Sequence, residues 1–288
     1  MSGGKTTSSF LILYDQLRWE EKSLIEYTKK RGIDAVPLNC REITVDLNKK
    51  NDYVNKTILQ RCTSYFNNLH STAALEGLGG RVINSLHTAI FCGNKLFTHM
   101  ELLNSDIQTP QAFCAFSESS ALSSLNKYGY PKIIKPVIGS WGRLIALLKD
   151  KESAEGIIEG RQHMYPLYHI YYFEEMVNRP PRDIRAIVIG EQVVAAIYRY
   201  SGPSEWKTNM ALGGRAESCK VTQELEEVCL KASRSVNGQI VGVDLMESDE
   251  KGFTVHEVNN TTEFKNTVRV TGVDIPSLMV EYILHLDR

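Results

Sequence analysis

Asp244, Glu257 and Asn259 are oxygen-bearing side chains on two β-rich runs, Ile240 to Glu247 and Phe253 to Val258, which turn residues Asp249 to Gly252 would join as a hairpin. Glu257 and Asn259 are two residues apart, so strand alternation puts them on one face, and pairing can bring Asp244 opposite them. Hard oxygen ligands of this kind suit Mg²⁺ held against phosphate groups. Solvated charges on a hairpin would leave the same pattern. Two lysines, Lys95 and Lys135, are candidates to meet phosphate oxygens. Lys135 stands in the apolar run KIIKPVIG, just before the loop Gly139-Ser140-Trp141-Gly142-Arg143. The amides of that loop could close over a polyphosphate as an anion nest; the competing reading makes Lys135 a guard on an edge strand. Arg185 and Arg199 point inward by parity on neighbouring strands, with Asn209 in the loop beyond. Half-buried guanidinium groups need anionic partners, either a phosphate or carboxylate of a ligand or internal Asp and Glu. Glu174 and Glu175 end the run YHIYYFEEMV, as an adenine contact or as a solvated strand end.

The elements that must carry these groups are legible in outline. Phe10 to Tyr14 reads as a strand buried on both faces, Leu17 to Arg31 as a helix stopped by Gly32, and Ile33 to Leu38 as a second strand, which makes one βαβ unit. Ser71 to Ser85 repeats the pattern, with a helix, a Gly-Gly stop and a strand at Arg81 to Asn84. A helix over Ser117 to Tyr128 precedes strands at Lys132 to Lys135 and Leu144 to Leu148, with the glycine loop between them. That loop does not open a helix or end in GK[ST], so a Walker-type phosphate loop is excluded. Tyr168 to Val177, Asp183 to Ile189 and Gln192 to Tyr200 read as strands, the last two joined through Gly190-Glu191. Helices follow over Gln223 to Ser235 and over Ile275 to Leu286, the latter with Ile275, Leu278, Met279, Tyr282 and Ile283 on one face. The pattern gives an α/β N-terminal part and a largely antiparallel α+β remainder. We expect boundaries at 1–92, 93–175 and 176–288.

Thirty-three Lys plus Arg against 34 Asp plus Glu leave a net charge of -1, so no global field recruits nucleic acid or an anionic membrane, and a partner must be met by a local patch. The six cysteines form no CxxC pair and no zinc spacing, which reads as reduced thiols. With no signal-like leader and no apolar run of spanning length, the expected location is the cytoplasm. The polar start MSGGKTTSS is expected to be disordered.

Seven motifs in order resemble the ATP-grasp ligases related to the ribosomal-protein glutamate ligase: Gly93-Asn94-Lys95, Ile134-Lys135-Pro136, Gly139 to Arg143, Phe173 to Val177, Arg182 to Arg185, Gly242-Val243-Asp244 and Glu257-Val258-Asn259. The resemblance implies an ATP-grasp fold in which two α+β domains clamp ATP behind an N-terminal α/β domain. It implies that Lys95, Lys135 and the loop Gly139, Ser140, Trp141, Gly142 and Arg143 hold phosphates. It gives adenine to Glu174, Glu175, Met176 and Val177, ribose to Asp183, and Mg²⁺ to Asp244, Glu257 and Asn259. Arg185, Arg199 and Asn209 would stabilise the developing charge. The continuation Asn259-Asn260-Thr261-Thr262-Glu263-Phe264-Lys265-Asn266, with Trp206 to Gly214, is similar to the ligases of amino-group carrier proteins in lysine biosynthesis. That group joins the amine of 2-aminoadipate to the C-terminal glutamate side chain of the acidic carrier LysW. A sister branch in arginine biosynthesis uses glutamate and has Gly-Phe where this chain has Asn266-Thr267. Asn260, Thr261, Thr262, Glu263, Phe264, Lys265 and Asn266 would then border the amino-acid pocket. The resemblance also implies a dimer or tetramer. The rival readings are a glutamate ligase acting on another protein tail or a cofactor, which would carry a shorter, proline-containing tail after Asn259, and a synapsin-like ATP-binding protein, against which the metal trio stands.

Overall fold

The computed structural model describes residues 10–49, 52–139, 141–202, 215–248 and 250–286. The polar start MSGGKTTSS, Ser140, Asp249 and the stretch Trp206 to Gly214 with Asn209 lie outside the described residues. In chain order the elements are β1 (Phe10–Tyr14), α1 (Trp19–Arg31), β2 (Ala35–Asn39), β3 (Thr57–Gln60), α2 (Tyr65–Gly77), β4 (Arg81–Ile83), α3 (Leu86–Cys92), α4 (Lys95–Asn104), β5 (Ala112–Ala115), α5 (Glu118–Tyr128), β6 (Lys132–Lys135), β7 (Ala146–Leu148) and α6 (Lys151–Gln162). There follow β8 (Tyr171–Glu175), β9 (Arg182–Ile189), β10 (Gln192–Tyr200), β11 (Ala216–Cys219), α7 (Gln223–Ser235), β12 (Ile240–Ser248), β13 (Gly252–Asn259), α8 (Lys265–Thr271) and α9 (Ile275–Leu286).

Among the described residues these strands form three sheets. The first, in the order β2-β1-β3-β4, is parallel throughout. Its central strand FLILY is apolar on both sides because helices cover both faces. Helix α1 ends where Gly32 takes the left-handed conformation at φ +65°, which lets its N–H return to the Lys29 carbonyl. The second sheet is antiparallel, in the order β5-β8-β6-β7, and packs Ile134 and Phe173 against Leu125 and Ile158 of α5 and α6. The third is antiparallel, in the order β11-β10-β9-β12-β13. One of its faces receives Leu225, Cys229 and Ala232 of α7. Ile275, Met279 and Ile283 of α9 join Ile187 and Ile189 of the third sheet to Phe10 and Ile12 of the first, so the last helix cements N-terminal and C-terminal parts in one core.

Several expectations shift. The run from Tyr168 to Val177 is not one strand. A 3-10 turn over Pro166–His169 comes first and β8 occupies only Tyr171–Glu175, since Pro166 fixes φ for a turn. Helix α2 starts at Tyr65, earlier than the pattern suggests, because the Ser64 hydroxyl caps it by accepting the Asn67 N–H. Lys135 guards no edge, because β6 lies between β8 and β7. No helix among the described residues is long and apolar enough to cross a membrane.

Candidate active site

A cleft of about 1340 Å³ opens between the second and third sheets and extends to the C-terminal edge of the first. Its floor is a set of cross-strand rungs on the third sheet. Arg185 of β9 stands opposite Asp244 of β12, and Asp244 stands opposite Glu257 of β13. One step along, Arg199 of β10 faces Asp183 of β9, and Gly242 faces Asn259. Directly opposed side chains on one face lie within contact distance, so opposite charges placed there pair. Arg185 binds Asp244 bidentately at 2.8 and 2.7 Å, and Arg199 binds Asp183 bidentately at 2.7 and 2.9 Å. Arg199 Nη2 also reaches Asp244 Oδ2 at 3.1 Å. Of the two sources of anion for these arginines, the structure displays the internal one. Burial alone would push the Asp244 carboxyl up, but Arg185 and Arg199 hold it well below the usual carboxylate range.

The opposite wall is the second sheet. Lys135 of β6 and Glu174 of β8 are both buried and form a salt bridge. Glu174 is therefore no solvated strand end. Burial raises its carboxyl and Lys135 more than reverses this, so Glu174 stays ionised at neutral pH. Glu175 is drawn outward instead, to Lys251 of the β12–β13 turn and to the Gln111 N–H at 2.8 Å. Met176, Val177 and Asp183 line the cleft beside it. Lys95 opens α4, and its ammonium donates to the Gly139 carbonyl at 2.7 Å and meets Glu257 at 3.2 Å, so it links the glycine loop to the floor. Trp141, Gly142 and Arg143 continue that loop along the cleft, with the Arg143 guanidinium 5.0 Å from the centre of the Trp141 ring.

The third wall is the segment after β13. Asn260, Thr261, Thr262, Glu263, Lys265 and Asn266 line the cleft, as does Thr267, whose buried hydroxyl has no hydrogen-bond partner among the described residues. Phe264 is a correction. It is fully buried in the core with Ile275 and Met279 of α9, with Trp19 edge-on to its ring at 6.0 Å, because that apolar cluster takes up the ring. Glu263 accepts from Trp141 Nε1 at 3.2 Å and from Arg18 at 3.3 Å.

Sequence reasoning missed the residues that meet this segment from the N-terminal part: Arg18, Glu20, Arg61, Asn68 and Asn84. Their one local signal is that polar residues directly follow short apolar runs, which is too common to single them out. It also missed His256. Glu257 pairs with Asp244 but Val255 with Leu245, so His256 is the extra residue of a β-bulge, and it lines the cleft beside Glu257. Burial holds its imidazole below the ordinary value and Lys135 adds to this.

Asp244, Glu257 and Asn259 bring two ionised carboxylates and an amide to one spot, with Asn259 Nδ2 3.4 Å from Asp244 Oδ2. An all-oxygen donor set with negative charge fits a hard divalent cation such as Mg²⁺.

Two family models meet end to end on the chain: a LysX preATP-grasp domain over residues 10–91 and a RimK-like ATP-grasp domain over residues 92–283. The chain is 36% identical over 279 residues to the alpha-aminoadipate–LysW ligase LysX of Sulfurisphaera tokodaii, covering 94% of this chain and 96% of that one. It is 33% identical over 274 residues to the glutamate–LysW ligase ArgX of the same organism, covering 95% and 97%. Among solved structures, a RimK domain ATP-grasp protein of Sphaerobacter thermophilus superposes with a TM-score of 0.76 at 20% identity, over 96% of this chain and 99% of that one, which shows the fold. A match of this length and order, on a chain whose two charged walls face one cleft, means that the protein belongs to the RimK-like ATP-grasp family of ligases, with a LysX-type preATP-grasp domain in front.

Proposed function

We propose that this chain is an ATP-dependent carboxylate–amine ligase that joins the amino group of 2-aminoadipate to the C-terminal glutamate side chain of a LysW-type carrier protein. The observation that carries the reading is the convergence on one cleft of a cationic wall, an acidic floor and the segment 260–267. The 36% identity to an alpha-aminoadipate–LysW ligase supports the choice of substrates. The three lobes expected at 1–92, 93–175 and 176–288 are then a pre-grasp lobe, the lobe with Lys135 and the glycine loop, and the lobe with the acidic floor.

In this reading ATP lies between the second and third sheets. Met176 and Val177 flank the adenine, Glu175 borders it, and Asp183 meets the ribose. Glu174 acts chiefly by orienting Lys135, which with Lys95 and the amides of the glycine loop draws charge from the phosphates. Asp244, Glu257 and Asn259 would hold Mg²⁺, whose contribution when bound is to neutralise phosphate oxygens. The carrier carboxylate attacks the γ-phosphorus; the bond to the bridging oxygen breaks, and ADP leaves. The amine nitrogen then attacks the acyl carbon, inorganic phosphate departs and the amine gives up a proton. No covalent bond to the enzyme forms, so the task of the side chains is positioning and charge stabilisation. Arg185 and Arg199 supply fixed positive charge beneath the reacting carboxyl, with Asn209 assigned to the same task.

The 33% identity to a glutamate–LysW ligase makes glutamate the alternative amine. Asn266-Thr267 favours 2-aminoadipate, and the Thr267 hydroxyl, unpartnered among the described residues, is a donor of the kind a distal carboxylate needs. The test is ADP release measured with the carrier, with each amino acid and with neither. Release should require both substrates and be faster with 2-aminoadipate. Equal release without carrier, or with a carrier lacking its last glutamate, would sink the assignment.

A further inference from the structure

Arg61 is a charged residue only 1% exposed, placed immediately after β3 in the N-terminal sheet. Its Nε donates to Glu21 Oε1 of α1 at 3.1 Å, and its Nη2 donates to the Thr262 carbonyl at 3.0 Å. The guanidinium also lies 5.6 Å over the centre of the Phe264 ring. Glu21 is held in turn by Arg18 at 2.8 Å. Burial lowers the affinity of Arg61 for its proton and Glu21 opposes this in part, while burial raises the Glu21 carboxyl and Arg61 and Arg18 bring it below the ordinary value. Arg61 thus reaches across some two hundred positions of sequence to grip the backbone of the segment that walls the cleft.

The grip has a second jaw. Thr262 is 1% exposed, and a Cβ added to Gly242 of β12 would stand 2.2 Å from its hydroxyl oxygen. Only a glycine there lets the Thr262 side chain lie on the strand. The neighbours of Thr262 are tied to the same N-terminal part, through helices α1 and α2 and the end of β4. Asn68 donates to the Thr261 hydroxyl at 3.1 Å, Asn84 donates to the Asn260 carbonyl at 2.9 Å, and Glu20 accepts the Lys265 N–H at 3.1 Å. A buried ion pair can often be replaced as a whole by well-packed apolar residues without loss of stability, so stability alone does not account for a charged pair here. A planar fork with donors aimed at two partners fixes a position, which an apolar residue does not.

We infer that Arg61 is the positioning residue of the amino-acid pocket: held by Glu21, it sets where the Thr262 backbone stands, so that the N-terminal sheet takes part in selecting the amine substrate. The inference rests on the proposed function for the nature of that substrate, and not for the clamp itself. A pocket wall must be held to within about half an ångström to discriminate by one methylene.

The experiment uses Arg61→Lys, which keeps a charge opposite Glu21 but offers a point donor that does not span both partners. Should that variant fold poorly, Glu21→Gln with Arg61→Gln replaces the pair by neutral groups. Steady-state kinetics should show KM for the amino acid raised about tenfold or more, kcat within about twofold, and the preference between 2-aminoadipate and glutamate moved. ATP affinity, read by direct titration, should stay within about twofold. Hydrogen exchange should speed up for the amides of residues 261–265 and remain at the wild-type rate in β12 and β13. A merely structural arginine would weaken nucleotide and amino-acid binding alike, and that result overturns the inference. So does unchanged exchange in 261–265. If the wild-type protein binds ATP and ligates neither amino acid, the proposed function falls, while the exchange measurement still decides the clamp.

Discussion

Asp244 is the residue on which the charged floor turns, because it accepts from Arg185 and Arg199 and also stands opposite Glu257. Asp244→Ala would leave two guanidinium groups without their shared acid, at a cost of about 3–5 kcal/mol for the broken buried pair. Asp244→Asn keeps the shape and removes the charge. It should fold and lose about 10²- to 10³-fold in kcat, as measured by ADP release beside a denaturant titration. Lys135 yields a sharper test through pH. In the wild type the folded-state value of Glu174 is depressed, so its contribution to stability is present in full above the unfolded carboxylate range and is lost as pH falls below that range through the folded-state value. In Lys135→Met the cation is gone and burial, the largest influence on Glu174, outweighs what His256 and the Tyr172 hydroxyl still contribute, raising its folded-state value. The sign then reverses, with stability highest at acid pH and lost as pH rises from the unfolded carboxylate range towards the raised folded-state value. Below the unfolded carboxylate range the melting temperature of the wild type should fall with acidification while that of Lys135→Met holds, and above that range the variant's should fall with rising pH while the wild type's holds. Parallel slopes would show that Lys135 does not govern Glu174.

At the scale of elements, the β12–β13 hairpin and the segment after it carry the trio proposed to hold metal and the wall proposed for the amino acid on one continuous stretch. The bulge at His256 lets two consecutive residues, His256 and Glu257, both reach the cleft. Helix α8 begins at Lys265, with Asn266 and Thr267 in its first turn. If that turn sets the depth of the amino-acid pocket, Asn266→Gly with Thr267→Phe should move the kcat/KM ratio towards glutamate. Discrimination by one methylene spans about 10- to 200-fold, so the shift should fall inside that window. Thr267 is 1% exposed, and the larger ring carries an overpacking cost of about 1–3 kcal/mol, so the ratio is to be read on folded protein only. A folded, active double variant with the wild-type ratio would remove this turn as selector.

For the whole molecule, metal and partner are the levers. Activity should vanish on chelation and return with Mg²⁺ or Mn²⁺, with no need for zinc, given the all-oxygen donors. Carrier association should weaken as salt rises, since a chain of net charge -1 must meet an acidic partner through a local patch screened over ~8 Å at physiological ionic strength. An affinity unchanged by salt would exclude such a patch. The sequence by itself determined the strand and helix over Lys132–Lys135 and Gln223–Ser235, the hairpin bearing Asp244, Glu257 and Asn259, and the chemistry of its donors. Each of these rests on periodicity, turn residues or parity, which act within a few positions of chain. What only the tertiary structure decided are the pairings between distant residues. These are Lys135 with Glu174 rather than with a sheet edge, Arg199 with Asp183, Phe264 in the core rather than the pocket, and Arg61 on the Thr262 carbonyl. No local pattern encodes them. Register, sheet order and the close approach at Gly242 place such partners together only when the three sheets are packed.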